Sequence, residues 1–323
     1  MKQAVIDLGT NTFHLLIVEK IPNQAVKTLF RDSRPAKIGR SANGSGGIAR
    51  RIITSDAIDR ALTVLRYYRT VLDEHQISPD SVAVYGTSAI RVAQNQAEFV
   101  ERVRQETGLV IRVISGDEEA ALIYAGVRAS GVLDPVSVTA INATAPTALV
   151  MDIGGGSVEF ILGNRDRVFW KQSFEIGGQR LMERFMAETE IITPPAVARL
   201  HGYLQEQLLP LTNAVHQYPP SVLVGSSGTF DTLIDMYFHE ETGAWPPAGQ
   251  AAFDLPLASF YHYYELLTTR NRAQRLALPG MIELRVDMIV VAVCLIDFVL
   301  KSYGLTSLRV STYALKEGAL ATN

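Results

Sequence analysis

One feature of this sequence limits the fold more than any other: a strand–turn–strand unit built on Asp-x-Gly occurs twice. Asp7-Leu8-Gly9-Thr10-Asn11-Thr12 lies between two short apolar runs, and Asp152-Ile153-Gly154-Gly155-Gly156-Ser157 does the same 145 residues later. Such a unit at the head of each half predicts duplicated α/β units with a cleft between them. Both turns join neighbouring strands as hairpins, so each sheet is expected to be mixed, with helices on its faces. The 323 residues suffice for two cores.

The rest of the pattern is consistent with that plan. Strands are expected at Ala4–Ile6, Thr12–Glu19 and, after a turn at Pro22-Asn23, Ala25–Phe30. Apolar residues at Ile58, Leu62, Leu65, Tyr68 and Leu72 predict a helix capped by Thr54 or Ser55 and running to about His75. A strand at Val82–Tyr85, a helix at Asn95–Thr107 stopped by Gly108, and a strand at Leu109–Ile114 follow. Ser115 with Glu118 makes a capping box for the next helix, to about Ser130. A polar stretch from Asp134 to Pro146 reads as a connector or inserted hairpin. The second half then runs through strands at Thr147–Asp152, Val158–Leu162, Arg167–Ser173 and Val222–Val224, and a helix at Phe230–His239. An apolar helix from about Leu284 to Tyr303, a strand at Ser307–Val310 and a terminal helix from about Tyr313 close the chain.

Composition narrows the function classes. Hydrophobic residues make up 47% and charged residues 20%, as in ordinary globular proteins. The run Met288–Ile296 is too short to cross a bilayer, no signal-peptide pattern opens the chain, and the single cysteine, Cys294, lies in that run. A cytoplasmic protein without a membrane or nucleic-acid partner is expected. The net charge of −3 hides an uneven distribution, because Lys27–Arg51 carries seven basic residues against Asp32 alone. Arg31, Arg34, Lys37 and Arg40, followed by the Ser41–Gly47 loop, suit steering of a long anionic substrate, or simply a solvated surface.

Three further turns carry candidate chemistry. Glycines let backbone N–H groups approach phosphate oxygens, which makes Gly9, Thr10, Asn11, Thr12 and Gly154, Gly155, Gly156, Ser157 candidate phosphate cradles. Asp7 and Asp152 can each hold a magnesium ion beside such a turn. Gly225, Ser227, Gly228 and Thr229 open a helix at a strand end, where N–H groups and the helix dipole favour an anion. Arg91, after a strand, can grip phosphate bidentately or form a surface ion pair. Asp117, Glu118 and Glu119 start a helix; capping explains them cheaply, yet hydrolysis of a phosphoanhydride needs a base to deprotonate water. Spacing alone does not choose among the three. No nucleophilic triad, CxxC, HExxH or P-loop motif is present.

IDLGTNTFHLLI at 6–17, YGTSAIRVAQN at 85–95, ISGDEEAALIYAGV at 114–127, MDIGGGSVEFIL at 151–162 and GSSGTFDTL at 225–233 resemble, in this order, the exopolyphosphatase/guanosine pentaphosphate phosphatase family. The resemblance extends through EIGGQRLMERF at 175–185, RVDMIVVAVCLI at 285–296 and VSTYALKEG at 310–318, nearly the whole chain. It implies two actin-like (ribonuclease H-like) domains, 1–128 plus 309–323 and 129–308. It also implies that Glu119 is the water-activating base, that Asp152 and Glu159 position metal and water, and that Arg91 binds phosphate. Magnesium, with manganese as a substitute, is the expected cofactor. Inorganic polyphosphate is the expected substrate, with guanosine pentaphosphate as the alternative and a non-catalytic polyphosphate or alarmone sensor as a third reading. A homodimer is admitted, though no interface motif argues for one. Two departures stand out: about ten extra residues around Asp134–Pro146, and Thr312-Tyr313-Ala314 with Lys316 where the family more usually has acid-glycine and arginine.

Overall fold

Alternating apolar residues in the first twenty positions pair as a hairpin, β1 (Lys2–Leu8) with β2 (Thr12–Glu19), to which β3 (Lys27–Pro35) adds antiparallel. The computed structural model describes residues 1–22, 26–40, 47–134, 146–187 and 189–322; the expected Pro22-Asn23 turn, the Ser41–Gly47 loop and the 134–146 connector fall mostly outside these. Next come α1 (Ser55–Glu74), β4 (Val82–Gly86), α2 (Ser88–Arg91), α3 (Gln96–Thr107) and β5 (Ile111–Val113). Thr54 takes the N-cap position of α1 without a capping bond from its side chain, so that expectation holds for position only. Gly108 ends α3 in the left-handed conformation, as a C-terminal glycine does. β4 and β5 join parallel beside β1, giving a mixed sheet of order β3-β2-β1-β4-β5. Its core is formed by Ile6, Leu8, Phe13, Leu15 and Ile17 of the hairpin against Ala57, Leu62, Leu65 and Tyr68 of α1 and Phe99 and Val103 of α3. Burying each large apolar side chain contributes roughly 1.5–3 kcal/mol.

The second half repeats the plan. After α4 (Gly116–Ala129) come β6 (Ala148–Ile153), β7 (Val158–Gly163), β8 (Val168–Phe174), α5 (Gly178–Phe185), α6 (Pro194–Gln207), α7 (Leu209–Gln217), β9 (Val222–Ser226) and α8 (Gly228–Thr242). They are followed by β10 (Ala252–Asp254), α9 (Leu257–Thr269), α10 (Arg272–Leu276), α11 (Ile289–Ser302), β11 (Leu308–Ser311) and α12 (Leu315–Thr322). The sheet order β10-β11-β9-β6-β7-β8 matches the first sheet strand for strand, with β10 added at the edge. Sequence reading starts the long apolar helix at Leu284. In the structure residues 284–288 form turns, and α11, buried along nearly its whole length, begins at Ile289.

The chain groups into two units: Met1–Glu119 with the Gly154–Gly156 turn, and Ala120–Ile153 with Ser157–Ala321. α4 divides between them, residues 116–119 in unit 1 and the rest in unit 2, and α12 groups with unit 2 up to Ala321. No described helix is long and apolar enough to cross a membrane. Cys294 is buried in α11, and that burial pushes its thiol up to about 12.

Candidate functional site

In unit 1 the β1–β2 turn is closed by the Gly9 N–H donating to the Thr12 carbonyl at 3.1 Å. Thr10, Asn11 and Thr12 are buried. The segment after β3 is tied to this turn: the Ala36 and Lys37 N–H groups donate to the Asn11 carbonyl, and the Gly39 N–H to that of Thr10, at 2.9–3.0 Å. The Arg60 guanidinium in turn donates to the carbonyls of Ala36, Lys37 and Arg40. Lys37 and Arg40, two of the expected steering residues, therefore stand on backbone pinned to the turn. Arg34 is engaged elsewhere, paired with Asp32 at 2.7 Å and lying 3.7 Å over the Tyr67 ring. Arg31 lies on β3 opposite Leu16. The Gly154–Gly156 turn belongs to this unit, and a Cβ at Gly156 would come within 2.5 Å of the Thr10 and Ser88 hydroxyls. Glycine is required there by close approach, not by φ.

The three acids that begin α4 differ in their surroundings, and Asp117 is exposed. Glu118 completes the capping box, its Oε2 accepting from the Ser115 N–H at 3.2 Å while its own N–H donates to Ser115 Oγ at 3.1 Å. It also pairs with Arg112 and stays exposed. Glu119 is 6% exposed and accepts from Arg91 Nη1 at 2.6 Å. The same Arg91 nitrogen donates to the Ile114 carbonyl at 3.3 Å. Arg91 thus belongs to an ion pair with Glu119; of its two sequence readings, the structure supplies a pair, and a buried one.

In unit 2 the register puts a polar row across the sheet. Asp152 lies opposite Glu159 on β7 and Ser226 on β9, Glu159 opposite Ser173 on β8, and Ser226 opposite Ser311 on β11. Directly opposed residues share a sheet face. Ser173 Oγ donates to Glu159 Oε1 at 2.6 Å, and Ser226 Oγ donates to Asp152 Oδ2. Asp152 and Glu159 are 6% and 1% exposed. Burial pushes the Asp152 carboxyl above its usual range, and the Ser226 hydroxyl, Lys316, the Ser227 hydroxyl and Arg285 pull it back. Lys316 is therefore close enough to act on Asp152.

Sequence reasoning missed Ser226, Ser173, Arg285 and Asp231. The guanidinium of Arg285, a half-buried residue, is lowered by desolvation and held up by Asp231 and Asp152; the turn at Gly228 lies directly against it. Asp231, in the first turn of α8, is pushed up to about 7 by burial. Its Oδ1 is sealed from solvent with no hydrogen-bond partner, although the residue as a whole is only half buried. Ser227 caps α8 at φ 75°, a left-handed value that costs a non-glycine residue about 1–3 kcal/mol. Strand alternation back from Asp152 and Glu159 was the signal that would have found the two serines; nothing local marks Arg285.

Magnesium is hard, keeps several waters and takes one or two carboxylates beside substrate phosphate oxygens. The Asp152–Glu159 pair is such a donor set. Among the described residues no three His, Cys, Asp or Glu side chains gather as an all-protein cage would need.

The profile of the Ppx/GppA phosphatase family matches residues 17–323. An exopolyphosphatase from Cytophaga hutchinsonii has a similar structure, with TM-score 0.90 at 41% identity, covering 100% of this chain and 97% of that one. The PPX-GPPA enzyme of Aquifex aeolicus gives TM-score 0.76 at 26% identity, covering 100% and 99%. A bifunctional 3-dehydroquinate synthase/phosphatase of Fusobacterium nucleatum is 34% identical over 240 residues, 72% of this chain and 34% of the relative. The chain thus spans about a third of that relative's length.

Proposed function

The chain belongs to the Ppx/GppA phosphatase family, and from that premise we propose that it is an exopolyphosphatase, releasing orthophosphate from the end of inorganic polyphosphate with magnesium. The observation that carries this reading is the division of labour at the start of α4, where Glu118 is used as a cap and Glu119 is buried against Arg91. The likeness to an exopolyphosphatase at 41% identity supports the substrate class.

In this reading Glu119 accepts the proton of the attacking water, a role worth about 100- to 10,000-fold in rate. Arg91 fixes that carboxylate and brings a guanidinium charge to a terminal phosphate oxygen. Backbone N–H groups of the Thr10–Thr12 and Gly154–Gly156 turns stabilise the phosphoryl oxygens as charge shifts toward the leaving group. Asp152 and Glu159, oriented by Ser226 and Ser173, hold the metal. When bound, magnesium or manganese supplies neutralisation of phosphate charge. Lys37 and Arg40 attract the distal chain.

The test is phosphate release from long-chain polyphosphate, tripolyphosphate and guanosine pentaphosphate, with and without magnesium. Metal-dependent release from polyphosphate, lost in Glu119→Gln, is the expected result. Faster release from guanosine pentaphosphate than from either polyphosphate would move the assignment to the alarmone. Full activity of a folded Glu119→Gln protein would remove the assigned base.

A further inference from the structure

Arg285 stands where an unsupported cation is disfavoured. Its guanidinium lies directly against Gly228, the first residue of α8, and so meets the positive end of that helix's dipole. Attraction to Asp231 and Asp152 opposes that repulsion. The backbone around Arg285 is gripped from α10. An Asn271–Gln274 capping box starts this short helix, the Gln274 N–H donating to Asn271 Oδ1 at 2.9 Å and the Asn271 N–H to Gln274 Oε1 at 3.0 Å. Arg272 and Arg275, three residues apart, are then neighbours on the helix surface. Arg275 is 1% exposed; its Nε donates to the Val286 carbonyl at 3.0 Å, and its Nη1 to the carbonyls of Glu190 and Arg270 at 2.6 Å. Arg272 pairs with Asp287 at 3.0 Å and with Glu283 at 3.3 Å. A further anchor is Gly280, at φ 80°, which packs on the α8 backbone at Asp235 and Met236. Burying a guanidinium carries a desolvation penalty that an apolar side chain of similar volume avoids. What Arg275 gains over such a side chain is a hold on main-chain carbonyls, one of them on the residue next to Arg285.

We propose that Arg275 and Arg272 are positioning residues for the phosphatase reaction, holding the 283–287 segment so that the Arg285 guanidinium stays against the start of α8, where it acts on Asp152. The inference rests on the phosphoanhydride reading given above. Such a hold matters because misplacing a group by about 1 Å can cost on the order of a hundredfold in rate.

The experiment compares the full chain with Arg275→Met, Arg275→Lys, Arg272→Gln and Arg285→Gln, and combines each of the first three with Arg285→Gln. KM and kcat for tripolyphosphate are measured, together with calorimetric affinity for tripolyphosphate in a Glu119→Gln background and thermal midpoints throughout. Arg285→Gln is expected to lower kcat/KM roughly hundredfold and Arg275→Met roughly thirtyfold, with the same division between kcat and KM. Arg275→Lys keeps the charge but not the fork that reaches three carbonyls, and should lie between Arg275→Met and the parent. Arg272→Gln should cost roughly fivefold. In the Arg285→Gln background none of the three should cost more than about a further threefold, in kcat/KM or in affinity, because the group they position is gone. A merely structural arginine would lower the thermal midpoint and multiply its loss onto that of Arg285→Gln. Multiplied losses, or parent-like kcat/KM and affinity in Arg275→Met and Arg272→Gln or in Arg285→Gln, overturn the proposal and leave the exopolyphosphatase reading standing. If Arg275→Met does not fold, the same results in Arg275→Lys and Arg272→Gln overturn it equally. A parent protein that neither hydrolyses nor binds tripolyphosphate overturns both.

Discussion

The β1–β2–β3 row of unit 1 and the β6–β7–β8 row of unit 2 share a scaffold and differ in charge. One presents Asp7, His14 and Ser33; the other presents Asp152, Glu159 and Ser173, extended by Ser226 and Ser311. The backbone register survives duplication because a one-residue slip would turn every apolar side chain out of the core. The side chains on the polar face are under no such constraint. Unit 2 has gathered carboxylates with the cations Arg285 and Lys316 around them, whereas unit 1 keeps one carboxylate beside an imidazole. The fold fixes where chemistry sits, and the residues at those positions decide which chemistry it is.

The largest expected effect tests whether the rows are interchangeable. Glu159→Gln should lower kcat by about 100- to 10,000-fold, whereas His14→Phe, which leaves that carboxylate in place, should lower it far less; steady-state kinetics separates them. Similar losses of kcat in both would break the comparison. Next is the acidity of the unit 2 cluster. Asp231, ordinarily near 3.8, is raised to about 7 in the fold, so the folded protein binds a proton that the unfolded chain has lost. Stability from this group is full below about pH 4 and falls as pH rises through about 7, by on the order of 2–4 kcal/mol. Asp231→Asn should flatten that decline in thermal unfolding between pH 4 and 8, and an unchanged slope would show that another group produces it.

Ser226→Ala sharpens the contrast further. Its hydroxyl favours the ionised Asp152, so its loss moves that carboxyl still higher. Activity should then fall more at pH 6 than at pH 8, with about 1–3 kcal/mol of stability lost. Ser173→Ala should cost roughly tenfold in kcat, with Ser173→Thr recovering part of it. The smallest effect belongs to the strained cap. Ser227→Gly should stabilise by about 1 kcal/mol in denaturant unfolding, because glycine tolerates φ 75°, while activity declines slightly through loss of the hydroxyl at Asp152.

Much of this arrangement was legible in the sequence, and the remainder was hidden for identifiable reasons. The Asp-x-Gly turns, the Ser115–Glu118 capping box and the Gly108 stop are local signals, because the residues that make them lie within a few positions of one another. The mixed character of both sheets followed from the hairpins. Helix α5 is only eight residues long, α6 and α7 sit in stretches broken by proline, and α9 and the short edge strand β10 lacked a clear periodic stripe. Ser226 meets Asp152 across 74 positions, and Arg285 is drawn toward Asp231 and Asp152 from a different element. Such contacts are set by strand register and tertiary packing, which spacing along the chain does not encode. The tie between Glu118 and Glu119 is of the same kind. Resemblance favoured Glu119, and the structure adds that the two side chains have different surroundings.

That difference makes the start of α4 an angular index. Neighbouring residues on a helix project roughly 100° apart, so the box between Ser115 and Glu118 sets the phase at which the next carboxylate emerges. Deleting one residue between them would hand the cap to Glu119 and bring Ala120 round to Arg91. The helix would still be capped, and a well-folded protein would have lost the charge beside the arginine through a rotation of a single step.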